Sequence, residues 1–513
     1  MKSRKEPHSS AHPSTKLDSK ILLIALFCLA IRLIYINQPL VDDQNWRQTD
    51  TAAIARNFYE EDFRLLYPRV DWRGTTEGYV ESEFPLYPYW VALLYRVFGG
   101  VYEGLGRGVS AVFSALSVLI LFKLTAKLYG RRTGYWAGLL FGVMPINVFF
   151  GRAFMVESLM IFCSIGMVYF FSEWLDRRGA VLFALAALFS TMAFLVKIPT
   201  LYMGLPLLFL AYDAFEKRVF ARWELWAFAI LVLVPPMLWY VHAHRLFEQT
   251  HLTFGIWNRY GYSKFGSLFM RVDPKFYATL AERIFGIILT PIGGVLFLVG
   301  LVLPVRSRRE RLPHAWVLAI AIYTLIAAEG NRALDYYQMP LVPPAVILMA
   351  RVLSRIQTED MVERTSLRKV LSTRASLGVL FLLIAFLSYT FAHESFKGHP
   401  YYAYFTGEYD IGKQVDRSIG RHDLIVTIDL DENRRAPYRS QNPALLYYSH
   451  RKGWQITPEE ASPERIEALR AQGAKTLVAP ILEMVKNPEL WTHLKRRYRI
   501  LAKNDQFMAL QLF

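Results

Sequence analysis

Long apolar runs separated by short basic turns constrain this chain more than any other feature. A helix needs roughly 17–25 mostly apolar residues to cross a bilayer, and about eleven runs approach that length. They cover 20–38, 107–128, 134–150, 153–175, 180–196, 198–214, 222–242, 283–304, 314–329, 335–352 and 375–393, with Lys197 cutting one long run in two. The stretch 85–100 (PLYPYWVALLYRVFGG) carries prolines beside an acidic loop and is expected to lie along the interface. With 53% hydrophobic and 15% aromatic residues among 513, the composition excludes a soluble enzyme of this length.

A net charge of +16 in a soluble chain would suggest nucleic acid. Here the cations fall in turns, so they report topology and no nucleic-acid partner is expected. With the basic N-terminus (Lys2, Arg4, Lys5, Lys16, Lys20) in the cytoplasm, every second turn is basic: Lys123, Lys127, Arg131 and Arg132; Arg177 and Arg178; Lys217 and Arg218; Arg306, Arg308, Arg309 and Arg311; Arg364, Arg368, Lys369 and Arg374. All five then satisfy the positive-inside rule. The first run lacks a small-residue cleavage site and is expected to be retained. The two cysteines, Cys28 and Cys163, lie inside apolar runs, which excludes a disulfide framework or a cysteine-based zinc site.

This topology leaves three large pieces outside: loop 39–106, loop 243–282 and the segment 394–513. In the last, DLIVTIDL (423–430) and KTLVAP (475–480) read as strands, and Ser462-Pro463 opens a helix that Gly473 closes. The expected fold is an α-helical polytopic membrane protein of about 11–13 spans, with a small extracytoplasmic α/β domain. The divisions are a cytoplasmic tail 1–19, a membrane body 20–393 and the domain 394–513. No internal repeat, Gly-rich phosphate loop, Walker motif, zincin motif or serine nucleophile elbow is present.

The polar residues of interest gather on the outer side. Asp42 and Asp43 follow the first span almost at once, at the height of a lipid phosphate. If a helix starts there, Asp43, Arg47 and Asp50 share a face; the plainer alternative is a helix cap with solvated charges. Glu83 precedes an apolar, proline-containing segment, where an unpaired carboxylate costs desolvation; it binds something or caps an interfacial helix. Arg152 and Glu157 flank the start of another run and are candidates as intramembrane charges, with an internal ion pair as the alternative. Lys197 is either a snorkelling lysine or a phosphate clamp. Arg332 sits at the outer end of a span, beside Tyr336 and Tyr337, which suit an aromatic belt. Arg32 is expected to pair within the bundle. His242 and His244 are too close in sequence to face together on a helix, so they make no metal pair.

These motifs, in this order and on one side, resemble the GT-C membrane glycosyltransferases, in particular the branch with protein O-mannosyltransferases and the lipid A aminoarabinose transferase. Asp42-Asp43 looks like that branch's acidic motif, and WRQTDTAAIARNFY is similar to its bacterial members. Ser-Glu-Phe-Pro stands where the aminoarabinose transferase has a Glu-Lys-Pro-Pro-like segment, so Glu83 matches the acid and Phe84 replaces the lysine. VKIPTLYMGLP is similar to a Lys-Gly-Pro segment, and YYQMPLVPP to a late Tyr-x-x-Pro-x-x-Pro segment. The resemblance spans residues 20–350. It implies inverting transfer of a sugar from a polyprenyl-phosphate donor to an acceptor hydroxyl of a lipid, glycan or protein, at the extracytoplasmic face of the inner membrane. Asp43, with Asp42 beside it, would be the base, with Asp50 a further acid. Lys197, Arg332, Arg152 and Tyr337 would hold the phosphate; Glu83 would orient the acceptor or help bind a divalent cation. Acids near a phosphate fit either the presence or the absence of such an ion. A flippase of a lipid-linked glycan is the competing class, but it would place its charges near the bilayer midplane. A membrane sensor would leave the acidic loop unexplained.

Overall fold

The computed structural model describes residues 18–256, 264–357, 374–393, 401–402, 406–429 and 442–513. Among them, six helices are long and apolar enough to cross a membrane: Glu103–Tyr129, Glu157–Arg177, Ile198–Ala221, Trp223–Thr250, Asp335–Ile356 and Ala375–His393. The pair Pro274–Ile288 and Thr290–Val302 adds a seventh if its 109° bend lies within one span. The apolar helices Ser19–Leu33, Arg131–Val143, Ala180–Val196 and Leu312–Ile326 are shorter, at 15, 13, 17 and 15 residues. The chain is a multi-span helical membrane protein with a small C-terminal sheet.

Local chemistry explains where expected runs break. The run 134–150 is interrupted at Met144, because Pro145 forces an extended residue before it and starts a new short helix. The run 283–304 turns at Thr290, which has φ of 64° and is followed by Pro291. Helix Leu86–Phe98 buries Val91, Ala92 and Tyr95 and exposes Leu93, Val97 and Phe98, the two-faced character that an interfacial helix requires. Arg32 is buried and does pair within the bundle, but with carbonyls: it donates to Cys28, Gly142 and Asn147 at 3.0, 3.1 and 2.9 Å.

Helix Glu157–Arg177 is 21 residues long, about 30 Å at the α-helical rise, and joins two ion-pair clusters. Near its C-terminus, Lys127 forms ion pairs with Glu173 and Asp176, and Arg309 with Asp176 and Asp213, at 2.6–3.0 Å. At its N-terminus, Glu157 pairs with Lys197. The basic turns at Lys127, Arg177 and Arg309 and the acids of interest therefore lie at opposite ends of the bundle, while Arg364, Arg368 and Lys369 lie outside the described residues.

The C-terminal sheet has the order β2-β1-β3-β5-β4. Its strands are β1 Leu424–Ile428, β2 Gly453–Ile456, β3 Ala474–Pro480, β4 Arg499–Lys503 and β5 Phe507–Gln511. β1 runs parallel to β2 and β3, and β5 runs antiparallel to β3 and β4. The Ser462 hydroxyl accepts from the Arg465 amide at 3.2 Å, capping helix Pro463–Ala471. The sheet is fastened to the loop after the first helix. The Gly74 amide donates to the Gly453 carbonyl at 2.6 Å, and the Gly453 amide to Asp71 at 3.1 Å. Gly74 has φ of +56°, and a Cβ there would come within 2.5 Å of the Trp454 indole nitrogen, so only glycine fits. One apolar core joins the pieces: Ile54, Phe58, Val70 and Trp72 of the loop bury against Ile411, Ile425, Leu445 and Val478.

A candidate active site at one end of the bundle

Asp42 and Asp43 are neighbours with opposite surroundings. Asp42 is buried among cations: Arg107 reaches both carboxylate oxygens at 3.1 and 3.0 Å, Arg152 donates at 2.8 Å and Gln48 at 2.7 Å. A carboxylate this deep persists because its charge and lone pairs are matched. Those contacts fix the chain just before Gln44, whose φ of 56° turns it into helix Asn45–Glu60.

Asp43 lies outside that helix and lines a cavity of about 260 Å³ with Gln44, Glu282, Arg283, Asp335 and Tyr401. Its amide donates to the Tyr401 carbonyl at 3.2 Å, while the Tyr401 hydroxyl donates to Asp335 at 2.7 Å. Burial, reinforced by the charge of Asp335, pushes the Asp43 carboxyl well above the usual carboxylate range. Arg283 is oriented by the carbonyls of Asn331 and Arg332 at 2.8 and 3.0 Å. Behind Asp43, the Leu40 amide donates to the Tyr448 hydroxyl at 2.6 Å, tying the acidic stretch to the C-terminal unit.

A second cluster lies close by. Arg47 donates to Glu83 at 2.7 Å and stands over the Phe254 ring. Burial alone would raise the Glu83 carboxyl, but the charges of Arg47, Lys197 and Lys264 outweigh it and hold it at about 2. Lys197 pairs with Glu157 and stands 5.0 and 5.6 Å from the ring centres of Tyr336 and Tyr337. The turn Asp335–Leu341 bridges the clusters, with Asp335 in the Asp43 cavity and the two tyrosines beneath Lys197.

Other candidates fall elsewhere. The shared face of Asp43, Arg47 and Asp50 does not form, because the helix begins only at Asn45: Arg47 turns to Glu83, and Asp50 accepts from the Trp72 indole at 2.8 Å. Arg152 is engaged by Asp42, and Arg332 pairs with Glu329 one helical turn away. His242 and His244 diverge, to the Leu66 carbonyl and to Glu81. Asp335, Arg283 and Tyr401 were not singled out in the sequence. Asp335 was the most accessible of them, an acid set against apolar residues in the Tyr-Tyr-Gln segment. Among the described residues, no group of three or more His, Cys, Asp or Glu side chains is arranged to hold a metal ion.

Comparison with known proteins places this geometry in context. The family model described as dolichyl-phosphate-mannose-protein mannosyltransferase matches residues 82–240. No curated protein matches the chain in sequence. The fold is similar to that of ArnT from Cupriavidus metallidurans bound to undecaprenyl phosphate, with a TM-score of 0.65 at 13% identity, covering 96% of this chain and 98% of that one. It is also similar to the archaeal oligosaccharyltransferase AglB from Archaeoglobus fulgidus, in complex with an inhibitory peptide and a dolichol-phosphate (TM-score 0.58, 14% identity, 94% and 72% covered). The mycobacterial arabinofuranosyltransferase AftD gives a TM-score of 0.56 at 14% identity, covering 98% of this chain and 42% of that chain. These likenesses, at 13–14% identity, span the helical bundle and the C-terminal unit together, so the chain has a fold similar to that of these membrane glycosyltransferases.

Proposed function

We propose that this protein transfers a sugar, with inversion, from a polyprenyl-phosphate donor to an acceptor hydroxyl at the extracytoplasmic face of the inner membrane. The observation that carries this reading is the Asp43 carboxyl, raised by burial and by Asp335 at the membrane end of the bundle. A hydroxyl is a weak nucleophile and needs a base as it attacks, and a carboxylate with a raised pKa accepts that proton better than an ordinary one. The same end supplies cations for the phosphate that leaves. Lys197, Arg47 and Arg283 are best placed for it, with Tyr337 beneath Lys197. Arg332 stands further out, and Arg152 serves by holding Asp42. Glu83 keeps Arg47 in position and orients the acceptor.

A lipid donor also needs a track for its chain. An apolar groove of about 680 Å³, lined by Ile198, Leu201, Leu233 and Met237, begins one residue from Lys197. The structural relatives bound to undecaprenyl phosphate and dolichol-phosphate support a prenyl-phosphate ligand. The segment 394–513 is taken as the extracytoplasmic domain. The test supplies purified protein in lipid nanodiscs with polyprenyl-phosphate sugars and a panel of acceptors. Release of free polyprenyl phosphate that depends on acceptor and disappears in Asp43→Asn is expected. In proteoliposomes, movement of the intact lipid-linked sugar across the bilayer with no cleavage would overturn the reading in favour of a flippase.

A further inference from the structure

A second cavity, of about 670 Å³, opens where the stretch before Asp42, the turn after helix Leu86–Phe98 and the C-terminal unit meet. Its size falls within the range of small-molecule sites, roughly 300–1,000 Å³. Five of its fifteen lining residues are tyrosines: Tyr59, Tyr102, Tyr409, Tyr447 and Tyr448. Glu60 and Glu103 supply acceptors, and Lys413 a donor.

We propose that this tyrosine-walled cavity is a saccharide-binding subsite that holds part of the acceptor remote from its reacting hydroxyl. The chemistry of the walls selects the ligand class. A tyrosine offers an apolar ring face and a hydroxyl at its edge, and a sugar ring has the same two-sided character. A hydrocarbon would offer no hydrogen-bond partner to the polar groups at the wall, Glu60, Glu103, Lys413 and the tyrosine hydroxyls. A polyanion would meet Glu60 and Glu103.

Three of the rings, Tyr409, Tyr447 and Tyr448, are fixed before any ligand arrives. The Tyr448 hydroxyl accepts from the Leu40 amide at 2.6 Å, and Tyr409 packs edge-on against Tyr448 with centroids 4.9 Å apart. Arg56 stacks on Tyr447 at 4.7 Å and donates to its carbonyl at 2.8 Å, while Asp71 holds the same guanidinium. Such preorganisation lowers the entropic cost of binding.

Position fits a glycan that starts at a membrane. The cavity includes Gly100 and Tyr102, directly after the exposed apolar residues Val97 and Phe98. Beyond the His450–Glu60 contact of 2.8 Å, a polar cavity of about 790 Å³ lined by Arg73, Thr76, Asp423 and Lys452 continues onto the sheet. Pro39 lines the tyrosine cavity and Asp43 the catalytic one, so the two lie on either side of one short stretch. The assignment to the acceptor rests on the glycosyl-transfer reading; the saccharide site itself does not.

The test uses full-length protein in nanodiscs and saturation-transfer NMR with free manno-, gluco-, arabino- and N-acetylglucosamine oligosaccharides; a second arm uses the same glycans on a lipid anchor. Binding of at least one glycan, weakened roughly tenfold or more in both Tyr102→Ala and Lys413→Ala, is expected. Tyr102 is 54% exposed, so its removal leaves the core intact, and unfolding temperatures check this. Binding only in the lipid-anchored arm, still lost in both variants, supports the subsite and identifies a glycolipid as the source. No binding in either arm, or equal binding by the variants, overturns the proposal. Asp43→Asn should bind like the wild type while losing turnover. If the wild type shows no turnover with any donor while the cavity variants lose binding, the transfer reading fails and the subsite stands.

Discussion

Asp42 and Arg152 meet at 2.8 Å with neither side chain exposed, and Arg107 joins them at 3.0 Å. Removing the acid strands two buried guanidinium groups. Asp42→Ala is therefore expected to cost about 3–5 kcal/mol, seen as a lowered unfolding temperature and poor yield from membranes. Asp43→Asn, one residue away, strands no cation and removes a charge that burial and Asp335 disfavour, so it should not lower the unfolding temperature. Similar losses of stability for both variants would contradict the division of labour between the two acids.

The carboxylate pair predicts a pH response. Burial and the charge of Asp335 raise the Asp43 carboxyl. A base works only when deprotonated, so the rate falls as pH drops through that raised value. Asp335→Asn removes the like-charge repulsion and should move the acidic limb of kcat/KM to lower pH, by about one unit. An unmoved limb would show that Asp335 does not act on the titrating group.

For the phosphate, Lys197→Met should lower kcat/KM by roughly 100-fold, as for loss of one fixed charge at a developing anion. Lys197→Arg should recover part of that loss. A donor-concentration series separates this from a merely structural effect, because a structural Lys197–Glu157 pair would be equally disturbed by Glu157→Gln with no change in the apparent KM for donor.

The C-terminal unit should loosen with rising pH. Glu408 is buried between Asn442 and Asn45, which donate to it at 2.7 and 2.9 Å, and burial lifts its carboxyl from 4.5 to about 7. The native state then holds a proton that the unfolded chain releases, so its contribution is full below 4.5 and is lost as pH rises towards 7. Glu408→Gln mimics the neutral form. Its stability relative to wild type should grow by roughly 1–3 kcal/mol between acidic and mildly alkaline buffer, read by thermal unfolding across pH. A difference that stays constant with pH would refute the assignment.

Much of this architecture was legible from local rules. The apolar runs located the bundle, the helix opened by Ser462-Pro463 formed where its cap required, and the two short apolar runs DLIVTIDL and KTLVAP hold β1 and β3. Strands β2, β4 and β5 are not evident in the sequence: GWQI and RILAK are short and carry polar residues, GWQI pairs with β1 far back in the chain, and RILAK is an edge strand paired only with β5. Within the candidate site, Asp43 and Lys197 could be read from their place at the ends of apolar runs. The fates of Asp42, Asp50 and Arg152 could not, since each is settled by a contact with residues 22–110 positions away. Asp335 and Tyr401 join the cavity only through tertiary folding, and no periodicity announces them.

The bonds from Asp43 to the Tyr401 carbonyl and from Leu40 to the Tyr448 hydroxyl make the chain's two ends complete one another. A nascent chain that has inserted every helix of its bundle still lacks one wall of the cavity around Asp43. Cutting away the terminal unit would leave that cavity open on one side.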